Sequence, residues 1–580
     1  MTSVAFRRQI GMTVPVPSVP QPSGPSLRPS AATVRGRTRH GRIGRTVVVT
    51  GLALVLSGAV SPATADSTPA EPPAPAEPAE PAEQARPGQT PGPVPTARLL
   101  PVTGDSYPFG AADHQEVPQD LAEVGYVEEE FLASGTADVY SWPEDAPAVV
   151  RTEDAPYTTR VLVRRPADAA DFSGNVVVEN LNPSNLFDLN IGWALAHQQM
   201  IDNGDTWVGV TAKPVAVDAL RTFDPERYGE LSYANPLPLD DPANCTVVDA
   251  DADPGTAPVP LPADTRRETE NGLVYDIYTQ VGNWLRSDDA TNPLTFGGGS
   301  SQVEHAYGLG YSQTGGFLVN YTKAVHPLVV ASQGAPTYDA YIIGVAGGGF
   351  AGAYPMNQCE PAPPVDDPRR DLYGIGVPVV QLMSQSDYLR GIGARRPDSD
   401  TAPDQFRYYE MAGAGHATPD ELYFSAASED IVRAGRAVPP AACDQGPRSR
   451  FPSSIFFNSA LDNLDAWVRE GVAPPRADPI VVRNGAPVLD ELGNVQGGLR
   501  SPFLDVPTST WFGTATGASF CFIAGYEVPF TQQTLDSLYD GPRDYSRQVR
   551  RSIRELERAR FLTPSDAQRL IRASRSGDPL

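Results

Sequence analysis

Apolar and polar positions change period repeatedly between residues 157 and 469, and the changes mark elements. Short β-branched or apolar runs at 157–163 (YTTRVLV), 174–179 (GNVVVE), 206–211 (TWVGVT) and 305–311 (HAYGLGY) predict strands, as do 341–345, 377–383 and 406–411. Between them, residues 193–201, 268–287 and 313–324 carry helical spacing. In the second of these, Leu273, Ile277, Val281 and Leu285 recur every four residues and form one buried stripe. A further helix is expected at 460–469, with Leu461, Leu464 and Trp467 inward, after which the chain becomes irregular. Strands alternating with helices imply an α/β class: a mostly parallel sheet covered on both faces. Long insertions at about 214–267, 346–372 and 388–404, rich in Pro, Asp and Gly, read as lids or surface decoration. Near the end, Thr563-Pro564-Ser565-Asp566 supplies the N-cap, N1 proline and early acid of a closing helix.

The first hundred residues do not share this pattern. Residues 35–65 pass from arginines through a short apolar run at 47–60 to Ala63-Thr64-Ala65, the order of a secretory signal cut after Ala65. A membrane anchor is the competing reading, but the apolar run is short for a bilayer. A Pro/Ala/Glu tract over 66–97 cannot bury apolar surface and is expected to be a solvated tether. The expected organisation is therefore signal 1–65, linker 66–97 and one globular domain over 98–580, exported from the cytoplasm.

Charge narrows the partners. The chain has 45 basic and 70 acidic residues, a formal net charge of −25. Eight arginines and no acids lie in the first 65 residues, so 37 basic residues face 70 acidic ones in the remainder, near −33. Such a charge argues against nucleic acid or anionic membrane as a partner. The four cysteines, Cys245, Cys359, Cys443 and Cys521, lack the CxxC spacing of a zinc site. In an exported protein an even count suggests two disulfides; of three possible pairings, chain proximity favours Cys245–Cys359 and Cys443–Cys521.

Candidate chemistry centres on residues 308–316, GLGYSQTGG. A nucleophilic serine needs a strand-to-helix turn tight enough to project its side chain, with small residues around it. Gly310 stands two before Ser312, but Thr314 occupies the position two after it, where glycine is usual, and Gly315 comes one later. The competing reading is a glycine-rich structural turn. For a base, the order serine, acid, histidine excludes His114, His197 and His305. His326 sits too near Ser312 in sequence and reads as a helix C-terminal histidine before a proline. His416, in AGAGHATP directly after the last core strand, reaches the same sheet edge. For the acid, Asp387 stands just past the preceding strand; Asp371, Asp398, Asp400 and Asp404 read as loop residues and Glu410 as a strand residue. An oxyanion hole would use the N–H of Gln313 and one from residues 179–190, either Asn182 or Ser184, since Pro183 has none. Asn182 reads equally well as a turn cap.

Several stretches, among them VVVENLNPS, YGLGYSQTGGFLVNY, MAGAGHATPDELY and DELGNVQGGLRSPFLDVP, resemble the bacterial "alpha/beta hydrolase domain" family, with its G-[FY]-S-Q-[ST]-G serine turn. The similarity runs from about 98 to 575. It implies an α/β-hydrolase fold and carboxylic-ester hydrolase activity, with Ser312 as nucleophile and His416 as base. The family's acid segment often reads Ser-Glu-Thr-Asp; here it is Ser384-Gln385-Ser386-Asp387, which leaves Asp387 as the acid. The expectation is a serine hydrolase acting on a small-molecule carboxylic ester or lactone, with no metal or cofactor implied. An amidase using the same residues, or a non-catalytic binding protein of this fold, are the alternatives.

Overall fold

The computed structural model describes residues 92–245, 267–346, 354–361, 363–364, 367–389 and 395–575, all within one compact unit. The expected signal at 1–65 and most of the expected linker lie outside the described residues. Ordered sheet begins at Thr96, inside the segment expected to be tether.

Nine strands form one sheet: β1 (Thr96–Leu99), β2 (Tyr126–Ser141), β3 (Val149–Pro166), β4 (Asn175–Asn180), β5 (Thr206–Val210), β6 (His305–Tyr311), β7 (Ala340–Gly344), β8 (Val379–Ser384) and β9 (Phe406–Met411). Their order is β1-β2-β3-β5-β4-β6-β7-β8-β9. From β5 to β9 every pairing is parallel, whereas β1, β2 and β3 join antiparallel. The central strands β4, β5 and β7 are buried throughout, as a sheet covered on two faces requires.

Register assigns the helices to faces. Gly308 and Tyr341 are partners across β6 and β7, and a Cβ on Gly308 would meet both Tyr341 and Tyr278 of the helix Val274–Arg286. Leu309 and Gly344 point the other way. They meet Gly192 of the helix Ile191–Asn203 and Phe457 of the helix Ser454–Glu470.

Three departures from the sequence pattern have physical causes. The long β2–β3 hairpin replaces a single short expected strand, because β2 carries Glu128, Glu129 and Glu130 and shows no apolar alternation. Glu130 is buried and held by Arg160, by Arg227 at 2.5 Å and by the Tyr228 hydroxyl at 2.8 Å, while Glu128 pairs with Arg164 at 2.7 Å. The helix after Ser312 does not stop near residue 324. Gln313–Asn320 passes through a π turn, Tyr321–Val325, into His326–Gln333. Pro327 has no N–H for a regular turn, and the wider turn accommodates it. His326 therefore sits inside the helical run, buried against the Tyr341 hydroxyl at 2.9 Å, and not at a C-terminus. The helix expected at 460–469 begins earlier, at Ser454.

Both cysteine pairs favoured by chain proximity are joined, with Cα atoms 5.2 Å apart for Cys245–Cys359 and 5.6 Å for Cys443–Cys521. The Thr563 side chain accepts from the Asp566 N–H at the start of the helix Pro564–Ala573. No described helix is long and apolar enough to cross a membrane.

Candidate active site

β6 ends at Tyr311 and the next helix starts at Gln313, so the whole change of direction falls on Ser312. Its backbone sits at φ 55°, ψ −117°, a conformation costly for any residue with a Cβ. The surroundings hold it there. Ser312 N–H donates to the Gly344 carbonyl at 2.9 Å, and its own carbonyl accepts from Gly316 N–H at 2.9 Å. The Thr314 hydroxyl closes the turn, accepting from Tyr311 N–H at 3.2 Å and donating to the Tyr311 carbonyl at 3.1 Å.

The glycines explain why the motif departs from G-x-S-x-G. A Cβ on Gly310 would lie 2.3 Å from the Thr314 carbonyl oxygen. One on Gly315 would lie 2.6 Å from Ala346 Cβ and 2.8 Å from the Gly344 carbonyl oxygen. The tight approach falls on 315, so residue 314 has room for a side chain that stitches the turn.

Asp387 stands in the short helix Gln385–Leu389 that follows β8. It is fully buried, and its Oδ2 accepts from Ser384 Oγ at 2.5 Å and from Ser384 N–H at 3.3 Å. Its Oδ1 faces His416 Nδ1 at 2.7 Å. His416, in the loop after β9, presents Nε2 to Ser312 Oγ at 2.8 Å. Three side chains from the ends of three parallel strands thus form one hydrogen-bonded line, buried except at the half-buried serine. With Nδ1–H donating to the carboxylate, Nε2 is left to accept a proton from the hydroxyl.

The histidine loop is braced from several sides. His416 N–H lies 2.8 Å from the Ile523 carbonyl and 2.7 Å from Ser386 Oγ, and its carbonyl accepts from the Tyr311 hydroxyl at 2.5 Å. Gln385, at the position where the family often has glutamate, accepts from Gly413 N–H at 2.8 Å, a task that needs no charge.

The other acids weighed against Asp387 are occupied elsewhere. Asp398 and Asp400 face Arg407, Asp404 faces Arg396, and Glu410 forms a two-point pair with Arg395 at 2.8 and 2.9 Å. Asp371 ends the short helix Pro368–Arg370. Among the described residues no group of three or more His, Cys, Asp or Glu side chains lies close enough to hold a metal ion.

The oxyanion expectation needs one correction. Gln313 is the first residue of the helix that follows Ser312. Asn182, however, spends its N–H on the Leu189 carbonyl at 2.8 Å, and Ser184 spends its own on Asn182 Oδ1 at 2.9 Å. Neither backbone N–H is left for a substrate oxygen. Asn182 instead donates through its side chain to the Tyr311 carbonyl at 2.7 Å, so it steadies the serine turn. The sequence assigns no role to Ser384, Ser386, Tyr311 or Ile523. The first three adjoin motif residues, whereas nothing in the spacing points to Ile523.

A family model described as "Alpha/beta hydrolase domain" matches residues 90–572. Among curated proteins no relative matches the chain. Similar solved structures include the carboxylesterase Cest-2923 from Lactobacillus plantarum WCFS1, at 9% identity over 51% of this chain and 93% of that one, TM-score 0.25. Another is a thermostable esterase from Pseudomonas putida ECU1011, at 10% identity over 55% of this chain and 83% of that one, TM-score 0.26. At these scores the two similarities add nothing to the family match. That match takes in almost every described residue, and the strand order and the serine turn after β6 agree with it: the chain belongs to the alpha/beta hydrolase domain family.

Proposed function

We propose that the protein is an exported serine hydrolase that cleaves a carboxylic ester or lactone through an acyl-serine intermediate. The observation that carries this reading is the unbroken line from Asp387 through His416 to Ser312, at 2.7 and 2.8 Å. The two disulfides support an extracytoplasmic location.

In this mechanism Ser312 Oγ attacks the ester carbonyl carbon while its proton passes to His416 Nε2. The carbonyl π electrons move onto oxygen, and the Gln313 N–H at the helix start is the donor proposed to meet that oxyanion. Collapse breaks the C–O bond to the alcohol, which leaves with the proton from His416. Water, deprotonated by His416, then attacks the acyl-serine, and the acid departs as Ser312 regains its proton. Asp387 holds the imidazole tautomer and stabilises the imidazolium in both halves.

A fluorophosphonate probe tests the core of this reading. The wild-type protein is expected to label at Ser312, and Ser312→Ala to be unlabelled. Absent labelling of the wild type, or equal labelling of the variant, overturns it. Turnover of acyl esters above aminoacyl anilides is the expected substrate order; dominant anilide turnover would make the enzyme an amidase.

A further inference from the structure

Basic residues are scarce in this chain and unevenly placed. Of the 37 that follow residue 65, ten fall within 543–575, all of them arginines and beside only four acids. The helix Pro542–Arg558 carries six of the ten: Arg543, Arg547, Arg550, Arg551, Arg554 and Arg558. At 3.6 residues per turn these six fall within about 100° of arc and run about 22 Å along the axis. Asp544, Glu555 and Glu557 flank the arc, and none lies inside it. The opposite face, with Tyr545, Val549 and Ile553, is buried, and the helix packs on Pro502–Asp505 and Pro564–Ala573. The arginines therefore look outward: five are exposed and Arg550 is half-buried.

The stripe works against the helix that bears it. Arg543 and Arg547, Arg547 and Arg551, Arg550 and Arg554, and Arg554 and Arg558 are like charges four residues apart, a pairing that destabilises a helix. Little offsets this. Arg547 pairs with Asp544, and Arg551 stands 3.9 Å from Glu555, but both arginines are exposed, where such pairs contribute little. Among the described residues no carboxylate lies within ion-pair distance of Arg543, Arg554 or Arg558. Exposed arginines elsewhere do meet one: Arg98 faces Glu230, Arg450 faces Glu527 and Arg476 faces Asp400. An anionic partner would offset the repulsion that the fold leaves standing.

Shape narrows that partner. The stripe has no aromatic side chain among its arginines on which a nucleic-acid base could stack. A helix face is convex, and a flat array of phosphates suits it, because long side chains spread over such an arc all reach one plane. The guanidinium fork fits phosphate oxygens by two-point bonds. A cluster of this size on one amphipathic helix is the pattern that binds anionic lipid headgroups. The negative charge of the whole chain does not oppose this at contact, since salt screens charges beyond about 8 Å.

We propose that the helix Pro542–Arg558 docks the protein on a bilayer of anionic phospholipid, through headgroup phosphates and without insertion. The docking goes beyond ester hydrolysis, and either can hold without the other.

Vesicle co-sedimentation tests it, using the chain from Asp66 onward, which keeps every described residue and the whole family match. Vesicles of equal parts phosphatidylglycerol and phosphatidylcholine should bind the protein at least about tenfold more tightly than phosphatidylcholine alone, and added salt should release it. Arg543→Gln, Arg547→Gln, Arg554→Gln and Arg558→Gln combined are expected to weaken binding at least about tenfold. Glutamine is a comparable helix former, so circular dichroism should be unchanged. The same four positions changed to Lys keep the charge and should stay within about threefold of the wild type. Arg98→Gln, Arg450→Gln and Arg476→Gln combined should bind as the wild type does.

Absent binding to the anionic vesicles, or equal binding by the glutamine variant, overturns the proposal. A lysine variant as weak as the glutamine one also overturns it, because charge would not be what binds. Stripe-dependent preference for duplex DNA over the vesicles would make the partner nucleic acid instead. Stripe-dependent dimerisation in sedimentation velocity would make it a second copy of the chain.

Discussion

The backbone N–H of His416 meets the carbonyl of Ile523 at 2.8 Å, although the two residues are far apart in the chain. The same carbonyl accepts from Ala417 N–H at 3.0 Å and from the Ser386 hydroxyl at 3.2 Å. A Cβ on Gly415 would lie 2.4 Å from the Ala524 carbonyl oxygen, so the histidine loop and this C-terminal segment are in direct backbone contact. Cys521, two residues before Ile523, is bonded to Cys443. His416 is thus located by a segment that a disulfide anchors.

Removing that anchor should act on the chemistry. Cys443→Ser combined with Cys521→Ser is expected to lower kcat about ten- to a hundredfold with little change in KM, because small displacements of a reacting group are costly. Cys245→Ser with Cys359→Ser should leave kcat nearly unchanged. Steady-state kinetics on both double variants decide it, and equal kcat in the two would refute the bracing role.

The serine turn makes its own prediction. Gly315→Ala puts a methyl against Ala346 Cβ and the Gly344 carbonyl, neither of which has a flexible side chain to yield. A loss of about 1–3 kcal/mol is expected, with slower probe labelling at Ser312. Thr314→Gly, which restores the commoner spacing, removes two hydrogen bonds inside the turn and should cost about 1–2 kcal/mol while labelling persists. Denaturant unfolding and labelling rates separate the two effects.

Asp387→Asn should reduce kcat about 10³- to 10⁴-fold at unchanged KM, since an amide cannot hold the tautomer or stabilise the imidazolium. Glu410→Gln, affecting the acid paired with Arg395, should lower stability and leave kcat within about twofold. A larger kcat loss at Glu410 than at Asp387 would reassign the acid.

His326 should make the fold acid-sensitive. Burial lowers its pKa from 6.5 to about 4, only partly opposed by a hydrogen bond to the Ile375 backbone. Between those values the unfolded chain binds a proton that the native chain does not, so stability falls as pH drops through this window. From pH 6.5 to 5 the loss is about 2 kcal/mol. His326→Gln can still bond Tyr341 and cannot titrate, so its own loss over that interval should be smaller by this amount. Urea unfolding at the two pH values measures it; parallel losses in both proteins would show that His326 is protonated in the native state.

Local spacing carried much of the fold. The bounds of β6 and β9 match the expected 305–311 and 406–411, because an apolar run ended by a turn signal is a local property of the chain. That Ser312, Asp387 and His416 stand after β6, β8 and β9 was legible for the same reason, as was the cysteine pairing by proximity. What spacing hid was whatever depends on a distant partner. β2 disguises itself with three glutamates that are tolerable only because arginines of β3 and of residue 227 meet two of them in the interior.

The sequence by itself determined the close approach at Gly310, where a Cβ would strike the Thr314 carbonyl oxygen, since that requirement lies within a few residues; the need for glycine at 315 comes from Gly344 and Ala346 at the end of the neighbouring strand. Tertiary structure alone decided what steadies the site. Asn182 turned out to hold the Tyr311 carbonyl through its side chain, because its N–H was already taken by Leu189. His416 owes its position to Ile523, a residue with no motif around it. A backbone carbonyl acts through its location, which chain packing sets and which no side-chain pattern records.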